Sequence, residues 1–368
     1  MCRMTIRQCL SAVLALALLL SACTATPAPA PAAGGTLVLL THSSWAASPE
    51  VIAAFEQETG ITVEQRPLGD AGEALGKVLI DQQTRAAGAP ALGDVLYGVD
   101  NTLLGRALAG NIYAPYKPAG ADAIPAEFVL DAQWRVTPVD YGDVCLNYDK
   151  AYFAARALAV PGSLEDLTRP EYKDLFVVEN AAASSPGLAF LLASVAHFGE
   201  DGYLDYWRAL KDNGVKVVED WSAAYYTDFS GSSGRGPRPL VVSYASSPPA
   251  EVVFAPTPGP GTPPPSEAPT GAITAPGTCF RQIEFAGVLQ GAANPAAAQK
   301  FIDFLLSKEF QEDMPLNMFV YPVNPTAKLP EAFTRFSAPV EQPATLPPER
   351  IDAGREGWVQ AWSELMLR

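Results

Sequence analysis

Short apolar runs alternate with stretches of helical period through the first third of the chain. Thr36 to Thr41 reads as a buried strand that breaks into His42-Ser43-Ser44-Trp45. Ser48-Pro49 then predicts a helix start, with Ser as cap and Pro in the first turn, Val51, Ile52 and Phe55 on one face, and Gly60 as the stop. Ile61 to Gln65 is the next strand. Asp70 and Glu73 have capping-box spacing ahead of Leu75, Val78 and Leu79 at helical period. Asp94 to Tyr97 predicts a third strand, and Asp100 a helix cap before Leu103 and Leu104. Strands and helices in strict alternation imply a parallel sheet with helices on its faces.

In such sheets ligands bind beyond the carboxyl ends of the strands. The loops at 42–45, 68–71 and 97–101 therefore face one crevice, which brings His42, Trp45, Asp70, Tyr97 and Asp100 near any site. Plain helix capping is the simpler explanation of Asp70 and Asp100 from these residues alone. Further on, Pro138 to Tyr148 reads as a strand, Ser184-Ser185-Pro186-Gly187 opens a helix that runs to Gly199, and Val215 to Val218 is a strand. Trp221 to Tyr226 starts another helix, and Leu240 to Ser243 is a strand ending at Tyr244-Ala245-Ser246-Ser247-Pro248. Ser230 to Pro239 and Pro256 to Gly277, the latter with 8 prolines, read as exposed insertions with little structure of their own. Trp358 and Trp362, four residues apart near the C-terminus, suit core packing on one helix face.

Composition narrows the function classes. The 368 residues carry 25 Lys+Arg against 40 Asp+Glu, a formal charge of −15, so the basic face that nucleic-acid binding requires is missing. An apolar fraction of 48% is ample for a core, and the length suggests two domains. Residues 1–22 form a signal peptide: Arg3 and Arg7 precede an apolar run from Leu10 to Leu20 that is too short to span a membrane. Leu20-Ser21-Ala22-Cys23 resembles a bacterial lipoprotein cleavage box, so Cys23 is expected to carry lipid and residues 23–35, rich in Ala and Pro, to form a tether. An extracytoplasmic, membrane-anchored lipoprotein follows. Cys145 and Cys279 are then left either as a disulfide or as two buried thiols, which Cα geometry would separate.

Enzyme signatures are missing: no GxSxG, no GxxxxGK[ST], no HExxH, and two histidines cannot build a multi-His metal cluster. His197 fits a satisfied helix histidine. No enzyme, cofactor or metal is expected. The recurring feature is hydroxyl residues at helix starts beside aromatics, at 184–187, 221–222 and 244–248. Helix N-termini with serines suit a neutral hydroxyl or a phosphate oxygen, and Trp and Tyr faces suit a flat cation.

Several passages carry a family resemblance: Gly98-Val99-Asp100-Asn101, Val139-Asp140-Tyr141-Gly142, Ser184-Ser185-Pro186-Gly187-Leu188, Trp221-Ser222-Ala223-Ala224-Tyr225, Ser243 to Pro248 and Tyr321-Pro322-Val323. From about Thr36 to Arg368 the chain resembles the periplasmic thiamine-binding protein family, the solute-capture subunits of ABC importers for thiamine and its phosphates. The resemblance implies an α/β, two-lobed, hinged periplasmic-binding-protein fold of type II character, each lobe a mixed sheet flanked by helices. Residues 36–140 and 281–368 would form lobe 1 and residues 141–280 lobe 2. It implies ligand contacts at Asp70, Ala71, Ser184, Ser185, Trp221, Tyr244, Ala245, Ser246 and Ser247, with Ser184 and Ser185 taking the hydroxyl or phosphate end. His42, Trp45, Asp100 and Asp140 stand in a second rank. His42 stands where the family has Tyr, and Ala71 where it has Gly. The implied partners are thiamine or a thiamine phosphate and an ABC permease, with the protein a monomer. Relatives in fold bind ferric iron through adjacent tyrosines, so Tyr225-Tyr226 supplies an alternative.

Overall fold

The computed structural model describes residues 34–232, 235–255 and 265–368. The signal, Cys23 and nearly all of the tether lie outside them, as does 256–264. No helix among the described residues is long and apolar enough to cross a membrane.

β1 (Gly35–Thr41) lies between β2 (Ile61–Pro67) and β3 (Val95–Asp100), parallel to both. β3 is buried along its whole length, whereas β2 is an edge strand that exposes Glu64, Gln65 and Arg66. Asp94 is not the first strand residue but its clamp: its carboxylate accepts from Val38 N at 2.8 Å and from Asn294 N at 2.7 Å. α1 (Pro49–Thr59) ends where Gly60 turns left-handed at φ 69°, a conformation that costs glycine nothing. Ser48 does not cap α1. Its backbone N–H and hydroxyl go instead to Asp313, a stronger acceptor. α2 (Ala71–Thr84) is capped by Asp70, which accepts from Ala71 N at 2.8 Å. The capping box does not close, because Glu73 pairs with Lys77 at 2.7 Å one turn on.

α3 (Leu104–Ala109) and the short β4 (Tyr113–Ala114) lead to β5 (Thr137–Asp149), thirteen residues long. β6 (Phe176–Glu179) lies parallel to β7 (Lys216–Val218) and to β8 (Leu240–Tyr244). The carboxylate of Asp149 caps α4 (Lys150–Ala155). α5 (Ser185–Asp212) passes the expected stop at Gly199, which breaks the helical dihedrals at φ 73° before a second helical stretch continues. The segment after Trp221 is a π-helical turn, Ala223–Asp228.

The proline-rich insertion is not wholly irregular. After α6 (Ser247–Val253), residues Thr270–Ile273 form β9, paired antiparallel with β5. The Gly/Ser segment before β8 is tied down as well: Ser230 Oγ donates to Asp149 at 2.6 Å, and the buried Ser232 donates its hydroxyl to the Tyr225 and Phe229 carbonyls. β10 (Phe280–Leu289) returns antiparallel to β3 and β5. The sheet order is β2-β1-β3-β10-β5-β8-β6-β7, so β5 and β10 join a three-strand parallel group to the β6–β8 group. Both β10 pairings are irregular around Glu284, Phe285 and Ala286.

α7 (Pro295–Leu305) packs on β10 and β1, α8 (Lys308–Asn317) lies against α1 and the short β11 (Tyr321–Pro322), which pairs with β5, and α9 (Glu331–Phe336) packs on α6. α10 (Pro348–Met366) lies on α5 through Trp362, which meets Trp207 edge-on at 5.5 Å, and Trp358 and Trp362 are both buried as their spacing implies. Cys145 on β5 and Cys279 just before β10 are bonded, with Cα atoms 4.3 Å apart.

Candidate functional site

A cavity of about 280 Å³ opens where the strand ends of the two groups meet. That is the lower edge of the roughly 300–1,000 Å³ typical of small-molecule pockets. Its walls come from distant parts of the chain: His42 and Ser44 after β1, Asp70 and Ala71 at the start of α2, and Ser185 and Pro186 at the start of α5. Trp221, Ser222, Tyr225 and Tyr226 follow β7, Tyr244 ends β8 and Ser247 begins α6, Glu284 lies on β10, and Asn317 to Val320 run from the end of α8.

Of the residues singled out from sequence, Asp70, Ala71, Ser185, Trp221, Tyr244, Ser247 and His42 line this one cavity. Ser184 stands immediately behind the wall, buried, with its hydroxyl beside the Asp70 carboxylate. Asp100 and Asp140 are fully buried behind His42, Tyr244 and Glu284. Three residues stand off the cavity. Ala245 packs with the Cys145–Cys279 bridge, Ser246 donates its hydroxyl to the Phe319 carbonyl, and Trp45 lies edge-on to Tyr97 at 5.9 Å in the core.

The aromatic wall is built in layers. Trp221 stacks on Tyr225 at 5.0 Å and 13°, and its indole N–H donates to Ser243 Oγ at 2.9 Å, which fixes the ring. Ser243 in turn shares a 2.8 Å bond with Ser247. Opposite, Phe254 meets Phe319 at 5.4 Å. Phe319 takes a positive φ of 55°, a strained conformation for an aromatic residue. The sequence reading missed the Asn317–Val320 wall and Glu284. Tyr321-Pro322 next to the wall was legible as a motif, but nothing in Asn-Met-Phe-Val itself signals a binding surface.

The acidic side is equally ordered. Tyr244 OH donates to Gln282 Oε1 at 2.8 Å, and Gln282 Nε2 donates to Asp100, which also accepts from Ser185 Oγ and Thr102. This chain of bonds ties β8, β10, β3 and α5 to one carboxylate. Burial raises Asp100, and its three side-chain donors only partly offset this. Burial also raises Asp70, against the Ala71 N–H. Burial and the nearby Glu284 charge push Asp140 well up, while Tyr97 donates to it. For His42 burial works downward, but Glu284, whose Oε1 lies 3.4 Å from Nε2, outweighs it, and the net shift is upward. Gly98, at φ 108°, lets His42 lie against β3: a Cβ there would stand 2.3 Å from the imidazole.

Both tyrosines of the adjacent pair line this cavity. Tyr225 is buried with its phenol pushed well up by burial and by Glu251, while Tyr226 is 45% exposed and its ring stands at 89° to its neighbour. Among the described residues no group of three or more His, Cys, Asp or Glu side chains could hold a metal ion.

Aromatic walls and an acidic side closing on one small cavity between halves of a mixed sheet define a solute-capture protein. The bacterial extracellular solute-binding protein family matches residues 91–337, and the chain belongs to it. It is similar to the thiamine-binding periplasmic protein of Brucella suis, 28% identical over 340 residues, which cover 90% of this chain and 92% of that one. Among solved structures it resembles a periplasmic thiamin binding protein, with a TM-score of 0.75 and 25% identity over 90% of this chain and 96% of the other. The ferric binding protein from Campylobacter jejuni shares the fold at a TM-score of 0.70 and 18% identity, covering 89% of this chain and 99% of its own. The fold is the α/β periplasmic-binding-protein fold.

Proposed function

We propose that the chain is the lipid-anchored, extracytoplasmic capture subunit of an ABC importer and binds thiamine or a thiamine phosphate between two lobes. The observation that carries this is the convergence of Trp221, Tyr244 and the Asp70 carboxylate, from three separate loops, on one cavity. A flat cation between aromatic faces gains roughly 0.5 to 2 kcal/mol from each well-placed ring. Asp70 is free to pair with the aminopyrimidine or to offset the thiazolium charge, since its Oδ2 is buried without a hydrogen-bond partner.

The lobes are residues 36–140 with 281–368, and 141–280. The chain crosses between them where β5 and β10 run side by side, with Tyr141 stacked between Phe128 and Tyr321 at 4.7 and 5.4 Å. Contacts across the cleft, such as Ser185 with Asp100 and Ser246 with Phe319, form only when the lobes are together. A ligand bridging both lobes shifts the population to that closed form, the one a permease would recognise. Iron capture by Tyr225 and Tyr226 is the weaker reading, because burial beside Glu251 opposes the tyrosinate that a ferric ion needs.

Micromolar thiamine is expected to quench the tryptophan fluorescence of the wild-type protein. Trp221→Ala should weaken binding by about 30-fold or more, the loss of roughly 2 kcal/mol typical of a buried aromatic anchor. A flat wild-type titration, together with a visible absorption band on adding ferric citrate, would favour iron instead.

A further inference from the structure

Resting on the thiamine reading, we infer that Phe254 and Phe319 form an aromatic latch between the two lobes that sets how long a captured ligand is held. Both side chains line the cavity, and they come from opposite lobes: Phe254 follows α6, within residues 141–280, and Phe319 follows α8, within residues 281–368. Their rings meet at 5.4 Å and 63°, the edge-to-face arrangement that aromatic pairs favour. At 67%, Phe254 is the most exposed large apolar side chain among the described residues. A ring that lines a cavity and is two-thirds exposed stands at its mouth, so a ligand leaving there parts it from Phe319.

Both ends of α6 hold Phe319. Ser246, just before the first turn, donates its hydroxyl to the Phe319 carbonyl, and Phe254, just past the last, sets its ring against the Phe319 ring. From its own lobe Phe319 is stacked on the buried Phe333 of α9 at 5.9 Å and 17°. The backbone at Phe319 has a φ of 55°, a conformation that an aromatic residue keeps only where its surroundings over-determine it. Those surroundings come from both lobes. Separating the lobes removes the Ser246 bond and the Phe254 contact together and leaves the stack on Phe333, so the position of the Phe319 ring over the cavity belongs to the closed cleft. The pair forms only after the ligand has entered, and its contribution therefore falls on escape rather than on encounter.

The test is stopped-flow tryptophan fluorescence of the folded protein and its variants with thiamine, which reads association and dissociation rates separately. Phe254→Ala should raise the dissociation rate about tenfold, the loss of one aromatic pair and its contact area, and leave the association rate within about twofold. Because Phe254 is exposed, its truncation opens no cavity in the core and the variant folds. Phe254→Tyr, which keeps the ring, should restore slow release. Phe319→Ala and the double variant complete a cycle: if the two rings act as a pair, the double variant releases thiamine about as fast as the faster single variant. Additive effects on the logarithm of the dissociation rate would make each ring an independent ligand contact and overturn the latch. Release unchanged in Phe254→Ala would also overturn it, with thiamine capture intact in both cases. Absence of binding by the wild-type protein, in fluorescence and in calorimetry alike, would overturn the thiamine reading and the latch with it.

Discussion

Glu179 shows how a single residue can be placed at a cost. It ends β6 with 0% exposure and neither carboxylate oxygen hydrogen-bonded, and burial, then the Asp70 and Asp220 charges, raise its pKa well above the ordinary 4.5. A carboxyl whose folded pKa is raised stabilises the fold fully below its unfolded value and loses that contribution as pH rises through the folded value. Glu179→Gln, which cannot ionise, should therefore raise stability at pH 8, on the order of 1–3 kcal/mol, and change it little at pH 4. Urea denaturation at the two pH values checks this; equal effects at both would contradict it. Single residues were also where sequence reasoning divided most sharply. Trp221 and Tyr244 were legible through the pairing of aromatics with serines at helix starts and through family likeness, and Asp70 through its place after a strand, although it also caps α2. Ala245 and Ser246 share a loop with them, and only the path of the backbone turns one toward the disulfide and the other toward Phe319.

At the scale of elements, the alternating pattern of the first hundred residues was read correctly as β1, α1, β2, α2 and β3 because β1 and β3 carry buried apolar runs and the two helices keep their apolar period, while the edge strand β2 is marked only by its apolar start at Ile61. β9 was hidden because proline and glycine surround it and its Thr-Gly-Ala-Ile carries little strand preference; its stability comes from pairing with β5 rather than from its own residues. Whether the two cysteines bond was likewise open in the sequence, since it depends on β5 and β10 lying side by side. Their bridge closes a separation of 134 residues and ties together the two strands that link the sheet groups. Replacing both cysteines by Ala should cost about 2–4 kcal/mol, read as a lowered denaturant midpoint, with the variant still folding around its large core. An unchanged midpoint would show that the link is dispensable.

For the whole molecule, the sheet order explains why one cavity can be made by residues as far apart as His42 and Val320: β10 and β5 run through the centre, and the chain returns to the first group after completing the second. That return could not be derived from local periodicity, which is blind to strand order; it came from likeness to a family. The acidic balance of the chain, −15 overall, also favours approach of a cation, although the specific grip is local. A ligand that bridges the closed cleft must stabilise the folded protein by mass action, by about 2.7 kcal/mol at 100 times its dissociation constant.

Titration calorimetry of the purified protein with thiamine tests the central claim most directly. One cation gripped in one cleft requires saturable binding of a single thiamine per chain, micromolar or tighter, that is lost or severely weakened in Trp221→Ala. No heat of binding to wild-type protein, or binding that the Trp221 variant retains in full, would contradict it.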